Sequence, residues 1–272
     1  MQEMNIVQSK GVNTSIEYSW NEKELEEFRN MVLREKNLNS RTDDLFLLSF
    51  LRSRKYDKSD ALKLLKNYYS VRRSVNELKN LRPSAIEHVL QSNVMAHLYV
   101  EGGMGLGFGR ASHWDTSKIS AIDLGRGILM HIDFNLNDHR LQVNGVSVIV
   151  DIKTLSWKHV ICFSPKIVRY LISWFYNALP VSYKSIHFIH VNSFFFAIIS
   201  VVFPFLPKKL KERIRFHGSN LDSLFKEIDS MYIPVELGGK LNIDWSESNQ
   251  LIRDNEEFFI ENEKYWNNEK ES

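Results

Sequence analysis

Val146-Ser147-Val148-Ile149-Val150-Asp151 is a short run dominated by β-branched residues. Such a run marks a strand buried on both faces of a parallel sheet. Downstream, Ser164-Pro165 offers an N-cap followed by proline at the first helical position. Ile167, Val168, Leu171, Trp174, Phe175 and Ala178 then recur at helical spacing until Pro180 stops the helix. Residues 183–191 read as another strand. Upstream, residues 95–100 and 106–112 read as strands and residues 119–135 as a helix. Strands separated by helices predict an α/β domain over residues 83–245, with a mostly parallel sheet between helical layers. Ser219, with Asp222 three positions on, predicts one more helix to about Ser230.

The first eighty residues follow a different period. Leu25, Phe28, Met31 and Val32 recur at helical spacing. Asp43-Asp44 opens a second apolar helix, with acids where a helix N-terminus favours them. Asp57 can cap a third, carrying Ala61, Leu62, Leu65, Tyr68 and Tyr69. These predict a small helical bundle over residues 20–80, preceded by a flexible lead at 1–19. Leu81-Arg82-Pro83-Ser84 marks the boundary. Residues 246–272 form an acidic tail whose Leu251, Ile252, Phe258, Phe259 and Trp266 either dock it as a helix or leave it frayed.

One further segment is unusual. Phe194-Phe195-Phe196-Ala197-Ile198-Ile199-Ser200-Val201-Val202-Phe203-Pro204-Phe205-Leu206 is almost wholly apolar, and Pro207-Lys208-Lys209-Leu210-Lys211-Glu212-Arg213-Ile214-Arg215 follows at once. It is too short to span a bilayer, which takes roughly 20 apolar residues. It is too apolar all round for a one-sided surface helix. Two apolar faces with a basic collar suit a gate, one face over an apolar cavity and the other toward lipid.

Composition narrows the function. The net charge of +2 gives no whole-molecule field toward nucleic acid, so any basic surface is local. The single cysteine, Cys162, allows no intramolecular disulfide and fits a reducing compartment. A polar N-terminus without an apolar signal core adds to the expectation of a cytoplasmic protein.

Catalytic patterns are weak. Gly145-Val146-Ser147 begins like a nucleophile elbow, but residue 149 is Ile where the motif needs glycine. Ser193, His190 and Asp151 can be assembled into a triad without any spacing rule to support it. The glycine run 102–109 has neither dinucleotide nor Walker order. His187 and His190 are expected to be hydrogen-bonded within the fold. No catalytic residue, metal or cofactor is expected, and a small esterase is the remote alternative.

Several motifs together resemble the CRAL-TRIO lipid-transfer family, in its branch of tocopherol and retinaldehyde carriers. They are Leu47-Leu48-Ser49-Phe50-Leu51-Arg52-Ser53-Arg54-Lys55-Tyr56-Asp57, then Leu64-Leu65-Lys66-Asn67-Tyr68-Tyr69 with Arg72, and Ser112-His113-Trp114-Asp115. Val150-Asp151, Ser185-Ile186-His187-Phe188-Ile189-His190, Lys209-Leu210-Lys211-Glu212-Arg213-Ile214 with His217-Gly218, and Pro234-Val235-Glu236-Leu237-Gly238-Gly239 follow in family order. The resemblance covers about residues 45–240. It implies a sheet flooring a lipid cavity under a mobile lid helix, and transfer of a hydrophobic ligand with release prompted by phosphoinositides.

Carried over residue by residue, the resemblance implies headgroup-binding roles for Arg72, Lys209 and Arg213, with Lys184 where the family has a nearby Arg. Ser182 stands where a phosphoinositide-contacting Lys occurs. Candidate cavity walls are Ile128 and Ile132, Val148 and Val150, Trp157 and Phe163, then Leu171, Trp174 and Phe175, and Val181, Ile186 and Phe188. On the lid, Phe194, Ile198, Val201, Val202 and Phe205 are taken as the inner face. Gly125 and Ile128 replace the aromatic and hydroxyl-bearing residues of the tocopherol carrier, which implies a different guest. The expected function is a monomeric cytoplasmic carrier of a terpenoid, retinoid, tocopherol-like or other lipid, transiently peripheral to phosphoinositide-bearing membranes. The alternative is a lipid-sensing interaction protein without transfer activity.

Overall fold

The computed structural model describes residues 18–100 and 103–267. The lead expected at 1–19 therefore falls, up to residue 17, outside the described residues. Helix α1 (Glu22–Arg34), α2 (Asp44–Ser53) and α3 (Lys58–Ser74) form the N-terminal bundle. Each starts on a side-chain cap: Asn21 accepts from the Glu24 amide, Asp43 from Phe46 and Asp57 from Asp60. Their apolar stripes meet in a core of Phe28, Phe46, Phe50, Leu65 and Tyr69.

A short α4 (Glu87–Gln91) leads into β1 (Met95–Tyr99) and β2 (Gly105–Arg110), an antiparallel pair. Helix α5 (Ala121–Asn135), capped by Ser120, crosses back over the sheet. Helix α6 (His139–Asn144) was not foreseen; Asp138 caps it and Gly145, at φ 71°, ends it. Gly145 is thus a helix-ending residue. A Cβ there would lie 2.3 Å from the Ser182 carbonyl oxygen.

Strand β3 (Val146–Asp151) is followed by α7 (Trp157–Val160), α8 (Pro165–Ile172) and β4 (Tyr183–Ile189). Helix α8 continues as a wider π turn over Ser173–Asn177. Next come α9 (Ser193–Val202), α10 (Lys208–Lys211) and β5 (Ile214–Phe216). The sheet order is β1-β2-β3-β4-β5, parallel from β2 onward. The predicted α/β architecture is therefore present, with β3 at its centre.

The helix expected from Ser219 to about Ser230 is only α11 (Asp222–Phe225), and the Asn220 side chain accepts from the Asp222 amide just before it. The acidic tail docks as α12 (Glu247–Asp254) and α13 (Glu256–Asn267). Ile252, Phe259 and Trp266 are buried in the same core as the N-terminal bundle, and Arg82 pairs with Glu263.

Candidate functional site

The pleat divides the central strands into two unlike faces. Ser147, Ile149, His187 and Ile189 are buried on one face. On the other, Val148, Val150, Ile186 and Phe188 are only half-buried, although they lie on interior strands. Strand β2 extends this second face with Gly107 beside Val148 and Gly109 beside Val150. A Cβ added at Gly107 would meet only Val148 methyls, the nearer at 3.5 Å, and one at Gly109 only those of Val150. Neither glycine has a positive φ. This face of the sheet is therefore apolar and only half-buried, with Val150 and Phe188 packed in part against Phe195 and Ile198 of α9.

The walls follow from α5, α8 and the π turn. Leu171, Phe175, Val181 and Phe163 are half-buried and Ile132 is nearly buried, while Ile128 is exposed. Trp174 is different: it is 1 % exposed and packs on Gly125, where a Cβ would come within 3.1 Å of its ring. It is a core residue that needs the glycine of α5. Trp157 is 61 % exposed on α7 and does not serve as wall.

Helix α9 is the segment expected to act as the lid. Asn192 caps it by accepting from the Phe195 amide, and its side-chain amide donates to the Ile152 and Leu155 carbonyls. The helix ends at Val202, where Phe203-Pro204-Phe205 tightens into a single 3₁₀ turn. The seated face is Phe195 and Ile198, with Ile199 and Val202 partly buried against the same cluster. Phe195 lies 4.7 Å from the Phe188 ring and 5.6 Å from that of Phe216. Phe194 and Phe205 were expected inside and are instead exposed; Phe205 lies under the Arg169 guanidinium at 5.3 Å. Val201 is half-buried at the margin. The cap fixes the helix start, so the inner stripe runs 195, 198, 199, 202.

Of the four anticipated cations, Lys184 lies on β4, Lys209 on α10 and Arg213 just before β5. Lys184 and Lys209 are exposed, and neither makes an ion pair among the described residues. Arg213 is half-buried and donates to the Tyr183 carbonyl, next to Lys184. Arg72 is unlike them. It is 1 % exposed, donates from Nη2 to both Asp133 oxygens at 2.7 Å, and covers the Tyr68 ring at 3.4 Å. A guanidinium so enclosed has no route to a membrane headgroup, and its role is to join α3 to α5.

The residues considered for chemistry fall elsewhere. Ser147 accepts a hydrogen bond from Ser185 at 2.9 Å, on the face away from the lid. His190 meets Asp151 at 2.9 Å and His187 meets His217 at 2.9 Å. Among the described residues no group of three or more His, Cys, Asp or Glu is arranged to hold a metal. No described helix is long and apolar enough to cross a membrane.

Comparison with known proteins agrees with this topology. The CRAL/TRIO domain family matches residues 105–239, from β2 to beyond α11. Human alpha-tocopherol transfer protein-like is 32 % identical over 247 residues, covering 89 % of this chain and 72 % of the relative. Clavesin-1 of Xenopus laevis is 31 % identical over 226 residues, covering 80 % and 68 %. Clavesin-2 of Rattus norvegicus is 31 % identical over 230 residues, with the same two coverages. This chain belongs to the CRAL-TRIO family.

Proposed function

We propose that this protein binds a hydrophobic small molecule between the sheet and lid α9, and carries it between membranes that bear phosphoinositides. The observation that carries the reading is the half-buried apolar floor of Val148, Val150, Ile186 and Phe188 beside the bare Gly107 and Gly109. Interior strands normally bury both faces, so apolar surface left there calls for an occupant. Relatives named for tocopherol transfer support the same reading. The guest is a terpenoid, retinoid, tocopherol-like molecule or other lipid.

The energetics favour a carrier. Burying a methylene is worth roughly 0.8 kcal/mol, so a chain of about 15 carbons costs about 12 kcal/mol to expose to water. A dry slot offered at the membrane surface removes much of that barrier. Lys184, Lys209 and Arg213 would meet polyphosphorylated headgroups, each worth roughly 1 kcal/mol near an anionic surface. That strength suits transient docking. In this reading the protein works in the cytoplasm as a monomer and makes or breaks no covalent bond.

The test is movement of a fluorescent lipid between donor and acceptor vesicles, with and without phosphoinositide. Acceleration by the protein supports the reading. Lipid binding without faster exchange would favour a sensor that recruits partners. Mass spectrometry of lipids extracted from protein purified out of its native tissue would name the guest.

A further inference from the structure

The lid is also a crossover. Residues 193–211 connect the parallel strands β4 and β5, so both lid ends are anchored to these neighbours. The anchorage is slender: β5 is an edge strand with three ladder pairs, Ile186 with Ile214, His187 with Arg215, and Phe188 with Phe216. Phe216 also faces the lid, 5.6 Å from Phe195 and 6.5 Å from Phe203. Displacing β5 therefore withdraws part of the lid's seat.

A histidine pair fastens these strands on the opposite face. His187 and His217 are 1 % and 3 % exposed. Their rings stack at 18°, with His187 Nδ1 2.9 Å from His217 Nε2. His217 Nδ1 lies 2.7 Å from Ser223 Oγ on α11. The His217 amide donates to the Phe188 carbonyl and its carbonyl accepts from the Val191 amide. One residue thus ties β4, β5 and the approach to the lid.

Two facing ring nitrogens at this distance hold one proton between them, donated by one ring and accepted by the other. A single added proton still leaves a donor and an acceptor. A second sets N–H against N–H and puts two cations together out of water. Arg215 of β5 adds to the repulsion, and Glu227, 3.3 Å from Arg215, offsets part of it. We propose that the His187–His217 pair is an acid-released latch, and that protonation of both rings frees β5 and lets the lid open. The proposal concerns the lid alone and stands whatever guest the site takes.

The sign follows from burial. Desolvation lowers the pKa of both rings, that of His187 to about 4. The closed form therefore binds fewer protons than the opened one, and closure is fully favoured above the ordinary imidazole value near 6.5. It weakens as pH falls from there through the closed-form values. The proton that His187 takes up on opening raises the opened fraction about 10-fold between pH 7.5 and 5.5, and His217, lowered in the same direction, adds to it.

Residue-resolved amide exchange on the full chain, corrected for its intrinsic pH dependence, reads this directly. The amides of Ile186, Val191 and His217 should lose about 10-fold or more in protection over that interval, while Leu106 and Phe108 of β2 keep theirs. Equal protection at both pH values in the unaltered protein overturns the latch, and so does parallel loss in β2, which signals global acid unfolding. In His187→Gln/His217→Gln, if it folds, the acid effect on these amides should vanish; its persistence overturns the assignment. His131→Asn removes another buried histidine, on α5, and should leave the β4–β5 effect intact.

Discussion

Arg72 of α3 and Asp133 of α5 form a two-pronged ion pair, with Nη2 2.7 Å from each carboxylate oxygen and both residues almost wholly buried. The Tyr68 hydroxyl donates to Asp133 at 3.2 Å, and the Tyr68 carbonyl accepts from Arg72 Nη1 at 3.0 Å. The pair fastens the helical bundle to the helix that crosses the sheet. Removing one partner leaves a charge buried without its counter-ion. Arg72→Ala should lower stability by about 3–5 kcal/mol in urea denaturation, because a broken buried pair leaves that charge unpaired. Vesicle affinity per folded molecule should not change. A variant of full stability that no longer binds vesicles would return Arg72 to a headgroup role.

The exposed cations should behave in the opposite way. Lys184→Ala with Lys209→Ala touches no ion pair among the described residues. At roughly 1 kcal/mol per cation near an anionic surface, phosphoinositide-vesicle affinity should fall about 30-fold. Thermal stability should hold. Co-sedimentation with vesicles measures the affinity, and added salt should shrink the difference between the two proteins.

Gly107 offers a direct check on the half-buried floor. Gly107→Val adds apolar bulk and strand propensity where a Cβ meets only Val148 methyls. The variant should melt at or above the temperature of the unaltered protein and take up a fluorescent lipid poorly. Gly145→Val is the contrast: its backbone sits at φ 71° and its Cβ would strike the Ser182 carbonyl, so stability itself should drop. Undiminished uptake by Gly107→Val would place the guest elsewhere.

Two neighbouring phenylalanines test the lid's orientation. Phe195 is 3 % exposed and Phe196 is 57 % exposed. Phe195→Asp would set a charge against Phe188 and Phe216, and retention of a bound fluorescent lipid should collapse. Phe196→Asp should keep retention near normal. The reverse pattern would mean that the helix seats on its other face.

Much of this was legible along the chain because it rests on local rules. Asn21, Asp43, Asp57, Ser120 and Ser164 cap helices where side-chain oxygens meet free amides, and the periods of 3.6 and 2 separate helix from strand. The β-branched run at 146–151 marked a strand of the parallel sheet, but it was read as buried on both faces, and Val148 and Val150 are only half-buried on one of them. The inner stripe of α9 was read correctly at Ile198 and Val202 but not at Phe194 and Phe205, because the segment is apolar all round and hydropathy alone does not fix its phase. Asn192 carried the missing signal, since it sets where the helix begins. The alternation Gly105, Gly107, Gly109 likewise held a readable message: in a strand, every second residue shares one face.

By itself the sequence determined the α/β class, the three helices of the N-terminal bundle, four of the five strands, the apolar segment at 194–206 and the basic run behind it. The tertiary structure decided which side chains meet across long separations. It buried Arg72 against Asp133, turned Trp157 and Phe194 outward, folded the acidic tail into the bundle core, and set His187 on His217. The physical reason is that caps and periodicity act within a few residues. Burial and pairing are set instead by the packing of helices and strands that lie far apart in the chain.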